Sequence, residues 1–118
     1  MWERPDSFSK VNAQLEQTAE AIQVASNGLT NSNLLYLTAK ADYEKEYASA
    51  LLQAKAEDGK LTQEEIKATA VNKAYEKKME MIRAKSRYDA NRCELRSLRD
   101  RLDVEREVSF NLRQEAKI

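Results

Sequence analysis

Asp58-Gly59-Lys60-Leu61-Thr62-Gln63-Glu64-Glu65 is the stretch whose reading decides the fold. Asp58-Gly59 is turn-forming, and Thr62 with Glu65 makes a capping box. In that motif a threonine side chain accepts from the amide three residues on, while the glutamate there reaches back. From Thr62 to Ile118 the chain has no glycine and no proline. The pattern predicts a long C-terminal helix over about 62–115, roughly 80 Å at ~1.5 Å per residue. In a chain of 118 residues such a helix needs partners to bury its apolar stripe.

Upstream of the turn, the spacing predicts two more helices. Phe8, Val11, Leu15, Thr18, Ile22 and Ala25 recur in a heptad stripe, which sets helix 1 at about 7–26, with Pro5 ending a leader and Asp6 or Ser7 as cap. Asn27-Gly28 reads as a stop, because glycine suits the left-handed position after a helix, and Thr30-Asn31-Ser32-Asn33 as a loop. Helix 2 is then expected over about 33–57. Its Tyr36, Leu37, Ala41, Tyr43, Tyr47, Ala48, Leu51, Leu52 and Ala54 form a face too broad for one neighbour, which implies contact with more than one helix. The short connection to helix 3 makes an antiparallel pair. The expected class is all-α, an antiparallel helical hairpin or three-helix coiled coil in a single domain over 1–118.

Helix 3 carries two apolar phases: Ala68, Val71, Ala74, Tyr75 and Ile82, then a cleaner heptad of Tyr88, Asn91, Leu95, Leu98 and Leu102. A helix 2 that begins near 33 is too short to cover more than the first. The region from about 90 to 118 therefore projects unless helix 1 folds back or a second chain docks there.

Composition agrees with long helices. Charged residues make up 34%, with two glycines and one proline. A small chain with an alanine-rich apolar fraction has a thin core, so pairing with a second copy, a homodimer, is the simplest way to bury more surface. A lone cysteine cannot close an internal disulfide, which fits a reducing cytoplasm. The start of the chain lacks the layout of a secretory signal, and no apolar run reaches the ~20 residues of a membrane span.

The net charge of zero hides a division. Residues 1–66 carry six Lys or Arg against eleven Asp or Glu, and residues 67–118 carry fourteen against nine. One reading is self-complementarity, with charges flanking helix seams and fixing orientation. The other is a track for nucleic acid along the arginines of 77–106, since cations in file can follow phosphates. The interleaved Asp89, Glu94, Asp100 and Asp103 oppose that second reading, as does a pI of 6.4.

Catalysis has little to work with, and the expectation is a non-enzyme without cofactor or metal. No histidine is present as a base, and no glycine-rich loop as a phosphate cradle. Glu44/Glu46 and Glu64/Glu65 do not share a helical face at metal-ligand spacing. Cys93 among Arg92, Arg96 and Arg99 has the basic neighbours of a nucleophile, but a lone helical cysteine reads first as a small packing residue. Asn91 at an apolar heptad position is either a register device or a polar residue where the seam frays. Tyr36, Tyr43 and Tyr47 read as core residues with hydroxyls at the rim, with base stacking as the alternative. Trp2 and Phe8 form a hook onto a partner or onto the bundle.

Three stretches carry a resemblance: Ala41-Asp-Tyr-Glu-Lys-Glu-Tyr-Ala-Ser-Ala-Leu-Leu-Gln-Ala-Lys55, the Asp58-Gly59-Lys60 turn, and Arg99-Asp-Arg-Leu-Asp-Val104. They resemble a group of small helical proteins encoded by bacteriophages, often among early replication and recombination genes. The group's layout is an N-terminal helix, a "YxxxYAxALLxAK" helix, a glycine turn and a long helix ending in "RLDxxR". Here the first signature falls on Tyr43, Tyr47, Ala48, Ala50, Leu51, Leu52, Ala54 and Lys55, and the second on Arg101, Leu102, Asp103 and Arg106. The group has no catalytic residues to carry over. The resemblance implies an accessory protein that acts by binding, with a recombination component or a host defence factor as protein partner. The expected interaction residues lie on the projecting end: Tyr88, Asn91, Arg92, Leu95, Arg96, Leu98, Arg99, Leu102 and Arg106.

Overall fold

The computed structural model describes residues 8–57, 59 and 61–116. The fold is all-α, a helical hairpin with a long C-terminal helix. Three helices follow in order: α1 (Phe8–Glu57), α2 (Gln63–Lys73) and α3 (Tyr75–Ala116). The Trp2 hook, the Pro5 leader and the Asp6 or Ser7 cap lie outside the described residues.

The cap that anchors the sequence reading is present. Thr62 is extended, at φ −69° and ψ 163°, and its Oγ1 accepts from the Glu65 amide at 3.2 Å. Glu64 and Glu65 place negative charge on the first turn of α2, where the helix dipole favours it. Gly59 sits in the turn between α1 and α2.

Two boundaries depart from expectation. The predicted stop at Asn27-Gly28 and the loop at 30–33 do not exist: α1 is one helix of 50 residues, so helices 1 and 2 are a single element. The reason lies in the phase of the seam. Val11, Leu15, Thr18, Ile22, Ala25, Leu29, Ser32, Tyr36, Ala39 and Tyr43 are buried or half-buried in unbroken 4-3 spacing, so the stripe runs through Gly28 without slipping. A break there would forfeit the seam on both sides, whereas a glycine within a helix costs only about 1 kcal/mol. Gly28 has no positive φ. A Cβ built on it meets no atom within 4 Å, so Gly28→Ala is expected to stabilise the chain by about 0.5–1 kcal/mol. A raised thermal midpoint by circular dichroism checks this; a left-handed stop would give a lowered one.

The second departure is at Ala74, where the predicted third helix divides into α2 and α3. Ala74 takes φ −93° and ψ 8°, outside the α-helical region. The hydrogen bonds nonetheless run across it, from Ala74 N to Ala70 O at 3.0 Å and from Lys78 N to Ala74 O at 2.9 Å. The covered positions Ile66, Ala70, Ala74 and Lys77 are spaced 4-4-3, with two steps of four in succession where a heptad alternates four and three. Such a stutter locally changes the helical winding.

The chain gathers into two compact units, one of residues up to Leu29 with those from Ala90 onward, the other of Thr30–Asp89. In the first unit Thr18 pairs with Glu105 and Gly28 with Asn91. Advance along α1 is matched by retreat along α3, so the alignment is antiparallel. Val11, Thr18, Ala25, Leu95, Glu105 and Ser109 are buried there.

In the second unit Tyr36 stacks on Tyr88 with ring centroids 6.2 Å apart. Lys73 Nζ donates to Gln53 Oε1 at 3.5 Å, so this alignment is antiparallel too. Its interior is built from small side chains. Ala50, Ala54, Ala70 and Ala74 are buried together with Ile66 and Ser32. Alanine seams allow close approach of helix backbones, because interaxial distance follows side-chain size.

Candidate interaction surface

The interaction residues expected on the C-terminal helix separate into two sets. Leu95 is buried, and Tyr88, Asn91, Leu98 and Leu102 are half-buried. This is a correction, since these five do not form an uncovered apolar end. Residues 8–29 of α1 cover the seam from Asn91 onward, and Tyr88 stacks on Tyr36 in the other unit. The seam is satisfied within the chain because α1 has no break and keeps its stripe in phase over its whole length. Arg92, Arg96, Arg99 and Arg106 are exposed. Arg92, Arg96 and Arg99 line a shallow hollow with Leu29, Leu95 and Asp100.

Asn91 makes a polar contact across the seam. Its Nδ2 donates to the Gly28 carbonyl oxygen at 3.3 Å. A helical carbonyl already engaged in its own helix keeps a second lone pair, and Asn91 uses it. The residue that looked like a stop signal thus serves as an acceptor inside the helix.

A second polar pin was not legible from apolar periodicity. Thr18 Oγ1 donates to both carboxyl oxygens of Glu105, at 2.7 and 3.0 Å, and Arg101 Nε donates to Glu105 Oε1 at 3.0 Å. Thr18 and Glu105 are buried. Glu105 falls three residues after Leu102, on the heptad. That spacing was the available signal, but a glutamate there reads as a solvent-facing charge. Among the described residues no buried side-chain nitrogen or oxygen is left without a partner.

Cys93 is exposed, which corrects its reading as a packing residue. Its position two residues before Leu95 carries it off the seam. Tyr36, Tyr43 and Tyr47 are half-buried, and Tyr43 and Tyr47 make a tilted ring pair at 6.0 Å. Among the described residues no cluster of three or more His, Cys, Asp or Glu is arranged to hold a metal ion. No described helix is long and apolar enough to cross a membrane.

The structure divides the broad apolar face of the α1 C-terminal half. Tyr36, Tyr43, Tyr47 and Leu51 are half-buried, and Ala54 is buried. Leu37, Ala41, Ala48 and Leu52 are exposed, Leu37 at 50% and Leu52 at 70%. Leu34 is also exposed and falls three residues before Leu37, in step with the same stripe. α1 therefore has two apolar stripes, one in the hairpin seam and one on its back. On geometry the class is an all-α helical hairpin with an unpartnered apolar stripe. No protein-family model matches the chain, nor does any curated protein or solved structure.

Proposed function

We propose that this chain is a non-enzymatic interaction protein of the bacteriophage type, which self-associates as a homodimer and docks a protein partner through its helix faces. The partner is a component of recombination or a host defence factor, met in the cytoplasm of a bacterial host. One observation carries the reading. The hairpin seam is filled from within the chain, yet the large apolar side chains Leu34, Leu37 and Leu52 along α1 remain exposed. Exposed apolar side chains gathered along a helix mark interaction sites on small proteins, and a helix face laid on another helix is the docking mode they fit. The phage assignment rests on the resemblance of the 41–55 and 99–104 stretches.

A second reading, a DNA-associated accessory protein using the basic face of α3, is favoured by the hollow that Arg92, Arg96 and Arg99 share. Asp100 in the same hollow opposes a phosphate there. The two readings part on salt. A protein contacting several phosphates loses orders of magnitude in DNA affinity between about 50 and 200 mM salt. The expected result is no shift of a DNA fragment even at low salt, together with capture of one stoichiometric protein from host lysate that survives nuclease. Capture abolished by nuclease, with salt-dependent DNA binding lost in Arg92→Ala/Arg96→Ala/Arg99→Ala, would replace docking with the DNA reading.

A further inference from the structure

We propose that two copies of this chain associate antiparallel through the back of α1, about a two-fold axis between Glu44 and Lys45. This deepens the self-association in the reading above by naming the surface and its geometry.

The stripe stands away from the hairpin seam. At about 100° per residue, Ala41 lies about 160° round α1 from the seam positions Ala39 and Tyr43 on either side. Leu52 has the same relation to Ala50 and Ala54. Neither α2 nor α3 covers it, and Leu37, Ala41, Ala48 and Leu52 are all exposed.

What selects a second copy as the occupant is the symmetry of the stripe. Its central order is Leu37, Ala41, Ala48, Leu52, spaced 4-7-4, so over this core type and spacing read alike from either end, and Leu34 extends it at one end. An isologous contact requires that if residue i meets j, then j meets i. Two antiparallel copies satisfy this directly, with Leu37 on the partner's Leu52 and Ala41 on the partner's Ala48. The alanines flank the centre, where two helices come closest, and the leucines close over the ends.

Charge gives the direction. The polar interruption at the midpoint of the stripe is Glu44-Lys45. Antiparallel association sets Glu44 against the partner's Lys45 twice over. Parallel association in register would set Glu44 against Glu44 and Lys45 against Lys45, and juxtaposed like charges oppose association. Leu34, at one end, meets the stem of the partner's Lys55, whose methylenes cover apolar surface while the ammonium stays in water.

Light scattering at micromolar concentration should give twice the chain mass of 13.5 kDa. Ala48→Glu, at an exposed position, should keep the helical circular dichroism and raise the dimer dissociation constant at least tenfold. In a Cys93→Ser background, Leu37→Cys mixed with Leu52→Cys should yield a disulfide-linked pair under mild oxidation. Each variant alone should not, because like thiols then stand roughly 22 Å apart along the helix. Cross-linking of either variant with itself would overturn the antiparallel arrangement. A monomer mass, or an Ala48→Glu dimer of unchanged strength, would overturn the interface. A monomer that still captures its protein partner would overturn this proposal, and the homodimer with it, and leave the docking reading standing.

Discussion

Thr18→Val is expected to cost about 1–3 kcal/mol, the penalty for leaving a buried hydrogen-bonding group short of a partner. Valine matches threonine in shape, so the change removes a donor and little else. Glu105 then keeps only the Arg101 contact at 3.0 Å, from a side chain that is 67% exposed. A solvent-screened pair of that kind compensates weakly. For a small domain with 5–15 kcal/mol in total, such a loss moves the unfolding midpoint visibly. Urea unfolding followed by circular dichroism measures it. The decisive companion is Thr18→Val/Glu105→Leu, which removes both partners together and fills the seam with apolar atoms. Its midpoint should return to that of the parent or exceed it. If the double variant were as unstable as Thr18→Val, the cost would lie in packing rather than in the stranded carboxyl group.

Ala70→Leu is expected to be comparably damaging for the opposite reason. Ala70 and Ala74 are 0% exposed, in an interior shared with Ala50 and Ala54. Nothing there can yield except the helices themselves. Adding three carbons to a filled seam costs typically about 1–3 kcal/mol, and more where backbones must part. Ala68→Leu supplies the control, two residues away in α2 and exposed, where surface substitutions stay within about 0.5 kcal/mol. Equal midpoints for the two leucine variants would show that the alanine seam is loosely packed and would remove the argument for close helix approach.

Much of the architecture is legible from local chemistry. The Thr62 cap, the turn at Gly59, and the absence of glycine and proline from α2 and α3 are short-range facts that tertiary structure had no reason to override. Gly28 was misread because a stop signal weighs one residue. The continuity of the seam through it is a property of positions 11–43 together, and phase outweighs a cost of about 1 kcal/mol. Ala74 was invisible for a related reason, since alanine carries no breaking signal and only the 4-4-3 spacing marks the site. The interaction residues placed on 88–106 followed from that misreading. Once α1 runs unbroken, its first half covers α3, and the unpartnered surface is on the back of α1. The broad face of 36–54 did hold the clue, but periodicity alone could not separate seam from back until burial divided them.

The antiparallel pairing also grades the chain by loop length. Gln53 and Lys73 meet across 20 residues, whereas Thr18 and Glu105 meet across 87. By loop-closure entropy the wider contact costs about 1.3 kcal/mol more to bring together from an open chain. That excess vanishes once the inner contacts have formed, because each closed pair shortens the loop left for the next. The polar pin near the termini thus depends on the alanine seam near the turn for its effective concentration, though the two touch no residue in common.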